Sequence, residues 1–252
     1  MAQPGIAIGP GISIGGGISI GAGTISSFTG SLFFNGTNAA ANNELVISSI
    51  TAGSAFAFGT GDYTIETWIY PTSVTVSQRL WWFGSNSDNL DLNNNGVLNY
   101  YSGSAYPGSA SGVVTANAWQ HVAMVRASGT VTVYVGGVSV LTSTSVYNSN
   151  TNRSLEIGWS ANQNNNPYNG YMTSMRIVKG LAVYTSNFTP STAPLTATQS
   201  ANVNGSPSAA IVGTSTQLLL AVASSGAYIT DSSSNNFTVT NAGAVSYSTL
   251  HP

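Results

Sequence analysis

Residues 119–137, WQHVAMVRASGTVTVYVGG, decide the fold. Val131, Val133 and Val135 alternate with Thr130, Thr132 and Tyr134, the period-two pattern of a half-buried strand. Ser128-Gly129 supplies a two-residue turn whose glycine tolerates positive φ. Ala127 is then expected to face Thr130, and the rest of the ladder follows. Val122 and Met124 share one face with the three valines. Trp119, His121 and Val125 share the other with Thr132 and Tyr134. A slip of one residue would mix the two sets, so the register is specified by the sequence itself.

Outward from this hairpin the same signals recur. Asp62–Pro71, DYTIETWIYP, reads as a strand with Ile65 and Ile69 on one side and Glu66, Trp68 and Tyr70 on the other. Arg79–Gly84 (RLWWFG), Val97–Tyr101, Val138–Thr142, Ser154–Trp159 and Gly170–Val178 read as further strands, and Trp68, Trp81 and Trp119 are assigned to the core. Residues 85–96, SNSDNLDLNNNG, and 161–169, ANQNNNPYN, read as Asn-rich loops. No helix is evident. Many short strands separated by turn signals predict an all-β sandwich.

Composition narrows the function. Charged residues make up 5% of the 252, against roughly 25% in ordinary soluble domains. The net charge is -2 and there is no basic patch, so nucleic acid is not an expected partner. The absence of cysteine removes disulfides, thiol catalysis and cysteine-type zinc sites. No stretch has the roughly 18 uninterrupted apolar residues of a membrane span, so membrane insertion is not expected. The opening MAQPGIAIG lacks the basic and apolar regions of a secretory signal.

Residues 4–23 are a repeat of Gly-Ile-(Ala/Ser)-Ile-Gly, with Ile6, Ile8, Ile12, Ile14, Ile18 and Ile20 regularly placed. Alone the repeat has no second layer to cover six isoleucines. An assembly arm that buries them between subunits is therefore expected, a homo-oligomer with a trimer as the guess; a flexible Gly-rich tail is the alternative. The organisation reads as an arm over 1–25, a sandwich over 26–195, a Ser/Thr/Ala-rich linker over 196–216, and strands over 217–252 that complete the sandwich.

Gly61–Pro71, Trp119–Arg126, Val133–Gly137, Leu155–Gly158 and Gly170–Ile177 together resemble the concanavalin A-like lectin/glucanase superfamily, in its laminin-G-like and pentraxin-like branch. Val178–Pro190, VKGLAVYTSNFTP, is similar to versions found in bacteriophage structural proteins. The resemblance covers roughly residues 28–195. It implies a jelly roll of two curved antiparallel sheets. It does not imply one function, because the fold hosts sugar binding, hydrolysis and scaffolding. Gly136 and Thr173 stand where the family usually has aspartate, which weighs against a family-type calcium site.

The chemistry then divides as follows. Seven acids, Glu44, Asp62, Glu66, Asp88, Asp91, Glu156 and Asp231, offer no evident pair across a cleft, and the family's Glu-x-Asp-x-x-Glu strand is absent, so no enzyme activity is expected. His121 and His251 build no triad or metal cluster, and His121 reads as a packed, hydrogen-bonded residue. Asp88 and Asp91, with the asparagines around them, could offer oxygens to calcium, but the closing glutamate of a calcium loop is missing, and no cofactor is favoured. Aromatic faces beside amides suit a glycan. The candidates are Tyr100, Tyr101, Trp159, Asn162, Asn164 and Tyr168, with Tyr106 nearby. Two readings follow. One is a virion structural protein, a phage fibre, spike or capsid decoration, made in the host cytoplasm and contacting other virion proteins. The other is an adhesin that binds host-surface glycans.

Overall fold

The structure is a computed structural model that describes residues 27–36, 43–84, 88–148, 150–159 and 166–252. The six isoleucines of the proposed arm, and Asn162 and Asn164, lie outside the described residues. The strands, in chain order, are β1 (Ser31–Asn35), β2 (Leu45–Ile47), β3 (Tyr63–Pro71), β4 (Gln78–Trp82), β5 (Asn89–Asn93), β6 (Val97–Tyr101), β7 (Gln120–Ala127), β8 (Thr130–Val135), β9 (Val138–Ser143), β10 (Leu155–Ile157), β11 (Asn169–Lys179), β12 (Thr216–Leu220), β13 (Thr240–Asn241) and β14 (Ser246–Ser248). A four-residue helix, α1 (Ser49–Ala52), follows Ser48, whose hydroxyl accepts from the Thr51 N–H at 3.1 Å.

The strands form two antiparallel sheets, as the all-β jelly-roll reading requires. The larger runs β14-β1-β11-β3-β7-β8-β9, with β12 also paired to β11; the smaller runs β13-β2-β10-β4-β5-β6. The β7–β8 ladder has the expected register, Ala127 opposite Thr130 and Val122 opposite Val135. Ser128 and Gly129 both have positive φ, 47° and 81°, as a type I′ turn demands. Val122, Met124, Val131 and Val133 face the core, where they meet Trp81, Leu90 and Leu92 of the smaller sheet. Each such side chain contributes about 1.5–3 kcal/mol by burial.

The next turn, between β8 and β9, is Gly136-Gly137, with φ of 57° and 80°. Gly136, which takes the place of an aspartate in the resemblance, thus closes a second tight hairpin together with Gly137. Gly129 and Gly137 share nearly the same φ but not the same surroundings. A Cβ on Gly129 would meet nothing within 4 Å, whereas one on Gly137 would come 1.8 Å from the Phe188 carbonyl oxygen. Gly129→Ala should therefore cost about 1–2 kcal/mol, the left-handed penalty alone. Gly137→Ala should cost clearly more, because residues 188–190 must also move. Urea denaturation of the two variants checks this, and equal losses would disprove the close approach.

The outer face of the larger sheet is covered in part by residues 181–211. Val183, Tyr184, Phe188 and Ile211 pack on Ala123, Val125, Tyr134 and Val178. Beneath them lies Glu66. Its Oε1 accepts from Arg176 Nε at 2.9 Å and Nη2 at 2.6 Å, and its Oε2 from the Tyr184 hydroxyl at 2.9 Å and His121 Nε2 at 3.1 Å. A bulge makes this possible. Thr173 faces Trp68, but Arg176 faces Glu66, so β11 carries one residue more than β3 over this span. Ser174 absorbs the extra step at φ 52°. Without it, Met175 would face Glu66.

Four expectations need correction. Residues 196–216 are not a free linker: Gln199 and Ile211 form a bridge, and Thr196 O and Gln199 Oε1 both accept from Arg176. Residues 89–93 are not loop but strand β5, because Asn-Leu-Asp-Leu-Asn alternates with period two. Trp81 is in the core, yet Trp68 and Trp119 are only half-buried on the outer face. The short helix α1 was not legible, since one turn shows no periodicity. The C-terminal strands close the sandwich within one chain: β12 pairs β11, β13 pairs β2, and β14 pairs β1.

Candidate functional site

Strands β4, β5 and β6 form a meander at one edge of the smaller sheet. Leu90 and Leu92 of β5 oppose Tyr100 and Leu98 of β6, and all four point into the core. The alternate residues must then point outward. Asn89 opposes Tyr101, Asp91 opposes both Arg79 and Asn99, and Trp82 opposes Glu156 of β10. A slip in the β4–β5 ladder between Arg79 and Trp81 sends Trp81 inward while Arg79 and Trp82 stay outward.

After β6 the chain doubles back. Ser109 N–H donates to Leu98 O at 2.9 Å and Tyr100 N–H donates to Pro107 O at 3.1 Å. This return carries Tyr106 over β5. Its hydroxyl donates to Asp91 Oδ2 at 2.7 Å, and its ring meets Tyr101 edge-on at 6.0 Å. The result is an open cleft of about 340 Å³, at the lower end of the roughly 300–1,000 Å³ usual for small-ligand sites. Arg79, Trp82, Asn89 and Asp91 form its floor, and Tyr101, Tyr106 and Asn166 its walls.

The polar groups of the floor are held in place. Arg79 Nε and Nη2 donate to the two oxygens of Asp91 at 2.7 and 3.2 Å, a bidentate pair. Arg79 Nη1 is buried and has no partner among the described residues. Asn89 Oδ1 accepts from Phe83 N–H at 2.9 Å, which leaves its NH2 group to donate. Burial, and then the Asp91 carboxylate, push the Tyr106 hydroxyl well above the usual tyrosine range, so it stays protonated as a donor. A second depression of about 310 Å³ lies at Phe188 and Pro207. Its one ring, Phe188, is buried and stacked on Tyr184 at 3.6 Å, so it offers no free face.

The candidates read from sequence separate cleanly. Tyr101 lines the cleft. Tyr100 is its strand neighbour and points the other way, fully buried, as strand geometry requires. Tyr168 is also fully buried, edge-on to Phe34 at 5.7 Å. Trp159 is buried with its indole N–H unpartnered. None of these three offers a glycan platform.

The two aspartates are committed elsewhere. Asp88 Oδ1 accepts from Tyr63 and Tyr100, and Oδ2 from Arg153 Nη1. Asp91 is paired to Arg79. Among the described residues no three acidic or histidine side chains converge as metal ligands. Arg79, Trp82, Asn89 and Asn166 were missed. The signal for two of them, Arg79 and Asn89, was present: an arginine in an apolar strand, and an Asn-x-Asp alternation beside it.

This sandwich, with an aromatic and amide-lined cleft on one sheet, is of lectin-like type. The laminin-G-like family of the concanavalin A-like lectin/glucanases superfamily matches residues 46–182, more than half of the chain. The chain belongs to that superfamily. No curated protein sequence matches it. Among solved structures, a candidate carbohydrate-binding protein from Bacteroides ovatus ATCC 8483 is similar over 90% of this chain and 61% of its own, at 13% identity and a TM-score of 0.60. A heptameric SAP-like pentraxin from Limulus polyphemus matches over 62% of this chain and 78% of its own, at 15% identity and a TM-score of 0.46. The CBM40 of the Ruminococcus gnavus IT-sialidase, bound to α2,3-sialyllactose, matches over 62% and 91%, at 16% identity and a TM-score of 0.46.

Proposed function

We propose that this protein is a non-enzymatic carbohydrate-binding module that holds a short glycan segment in the β4–β5–β6 cleft. One observation carries the reading: tyrosine rings stand over a floor of fixed amide, guanidinium and carboxylate groups. An apolar sugar face suits the rings, and sugar hydroxyls, each both donor and acceptor, suit the floor. The Bacteroides ovatus likeness adds a fold in which such binding has been inferred. The lining argues against hydrolysis, since Asp91 is the one carboxylate there and Arg79 occupies it. A purely structural virion component needs no such cleft, so the structure favours the glycan-binding alternative over display alone.

A glycan array followed by titration of the best ligand tests this. Tyr101 is half-buried and its ring makes no core contact, so Tyr101→Ala should leave the melting transition in place. Affinity should fall about tenfold or more, the equivalent of about 1.4 kcal/mol. A blank array with correctly folded protein would overturn the proposal.

A further inference from the structure

We infer that the cleft selects neutral saccharides and discriminates against uronic, sialic and sulfated ones; this rests on the glycan-binding reading above. The charged groups lining the cleft are Arg79 and Asp91, one of each sign, in contact at 2.7 Å. A carboxylate on a sugar would gain from the guanidinium and lose to the adjacent carboxylate at nearly the same distance, so the pair offers an incoming anion little net attraction.

The same pair is well suited to hydroxyls. A guanidinium has five N–H groups, and two are used on Asp91. Nη1 is buried and, among the described residues, meets no acceptor, while Nη2 has one N–H left beyond its bond to Asp91. Asp91 offers about four acceptor positions, and Arg79 and Tyr106 take three. One hydroxyl can accept from Arg79 while its neighbour on the ring donates to Asp91. A vicinal diol meets that demand in neutral and acidic sugars alike; the acidic sugar must in addition strip water from its carboxylate beside a pair whose charges are already balanced, a cost with no compensating contact.

The test compares galactose with galacturonic acid, and glucose with glucuronic acid, as terminal units on otherwise identical oligosaccharides. The neutral member should bind about tenfold more tightly, with an affinity that changes less than about twofold between roughly 50 and 500 mM NaCl, where a charge-driven contact would be screened. Asp91→Asn should narrow or reverse the preference by leaving Arg79 uncompensated. If that variant fails to fold, the neutral–acid comparison and the salt series on the unaltered protein decide alone. Tighter binding of the acidic members would overturn this inference and leave glycan binding intact. No binding of either member, or of any arrayed glycan, would overturn both.

Discussion

Glu66→Ala should destabilise the protein by about 3–5 kcal/mol, the cost of removing one partner of a buried ion pair. The side chain is completely buried and satisfies four donors at once, two from Arg176 and one each from His121 and Tyr184. Its loss strands the Arg176 guanidinium, itself fully buried, beneath residues 181–211. Glu66→Leu combined with Arg176→Met should recover much of the loss, because no charge then remains unpaired. Chemical denaturation of the single and double variants measures both. A double variant no better than the single would mean that the pair is not the source of the effect.

The same group sets an acid limit. Burial alone would raise the Glu66 carboxyl, but the Arg176 guanidinium, with hydrogen bonds from His121 and Arg176, brings it from 4.5 down to about 2. A depressed carboxyl stabilises the fold fully above its unfolded value and loses that contribution as pH falls through the folded one. Stability should therefore fall between pH 4.5 and pH 2, by about 3 kcal/mol from this group. The Glu66→Leu/Arg176→Met variant should lack that part of the decline.

Asp88→Ala is the second change with a large expected effect, again about 3–5 kcal/mol. Asp88 lies in left-handed backbone just before β5 and is buried. It accepts from the Tyr63 hydroxyl at 2.8 Å, the Tyr100 hydroxyl at 3.1 Å and Arg153 Nη1 at 3.1 Å. Arg153 is in turn stacked 5.0 Å from Phe58 and 4.9 Å from Phe83. Alanine would leave a buried cation and two buried hydroxyls without their acceptor. Asp88→Asn keeps an acceptor for the tyrosines and should lose distinctly less. A melt of the alanine variant within about 1 kcal/mol of the parent, the scale of a surface change, would sink this account.

The sheets were legible where one face is buried and the other is not. In β8 polar and apolar residues alternate without interruption, and the predicted β7–β8 register is the observed one; β7 and β3 are mostly buried on both faces, and apolar runs such as Val122–Val125 break their alternation. The cleft was harder to read because β5 is rich in asparagine. Asn89, Asp91 and Asn93 resemble turn residues until Leu90 and Leu92 are seen to alternate with them. The same alternation decides between Tyr100 and Tyr101, adjacent residues that cannot share a face. Glu66 was placed correctly on the outer side of β3. That the outer side is covered there was not legible, since residues 181–211 lack a strand period, and neither the bulge at Ser174 nor the return of residues 107–109 leaves a pattern in the sequence.

The pairing of β1 between β11 and β14 has a consequence for how this chain reaches its fold. The Thr29 hydroxyl donates to Val222 O across 193 residues, and the Ser31 hydroxyl to Leu250 O across 219. Contacts so distant close late, because the loop between them must be ordered first. During synthesis the β1 strand, with Leu32 and Phe34, waits for β11 on one side and longer still for β14 on the other. Such an open edge invites pairing between nascent chains. With 5% charged residues there is little electrostatic repulsion to prevent it. Slow, concentration-sensitive refolding is thus built into the same topology that lets one chain close both sheets.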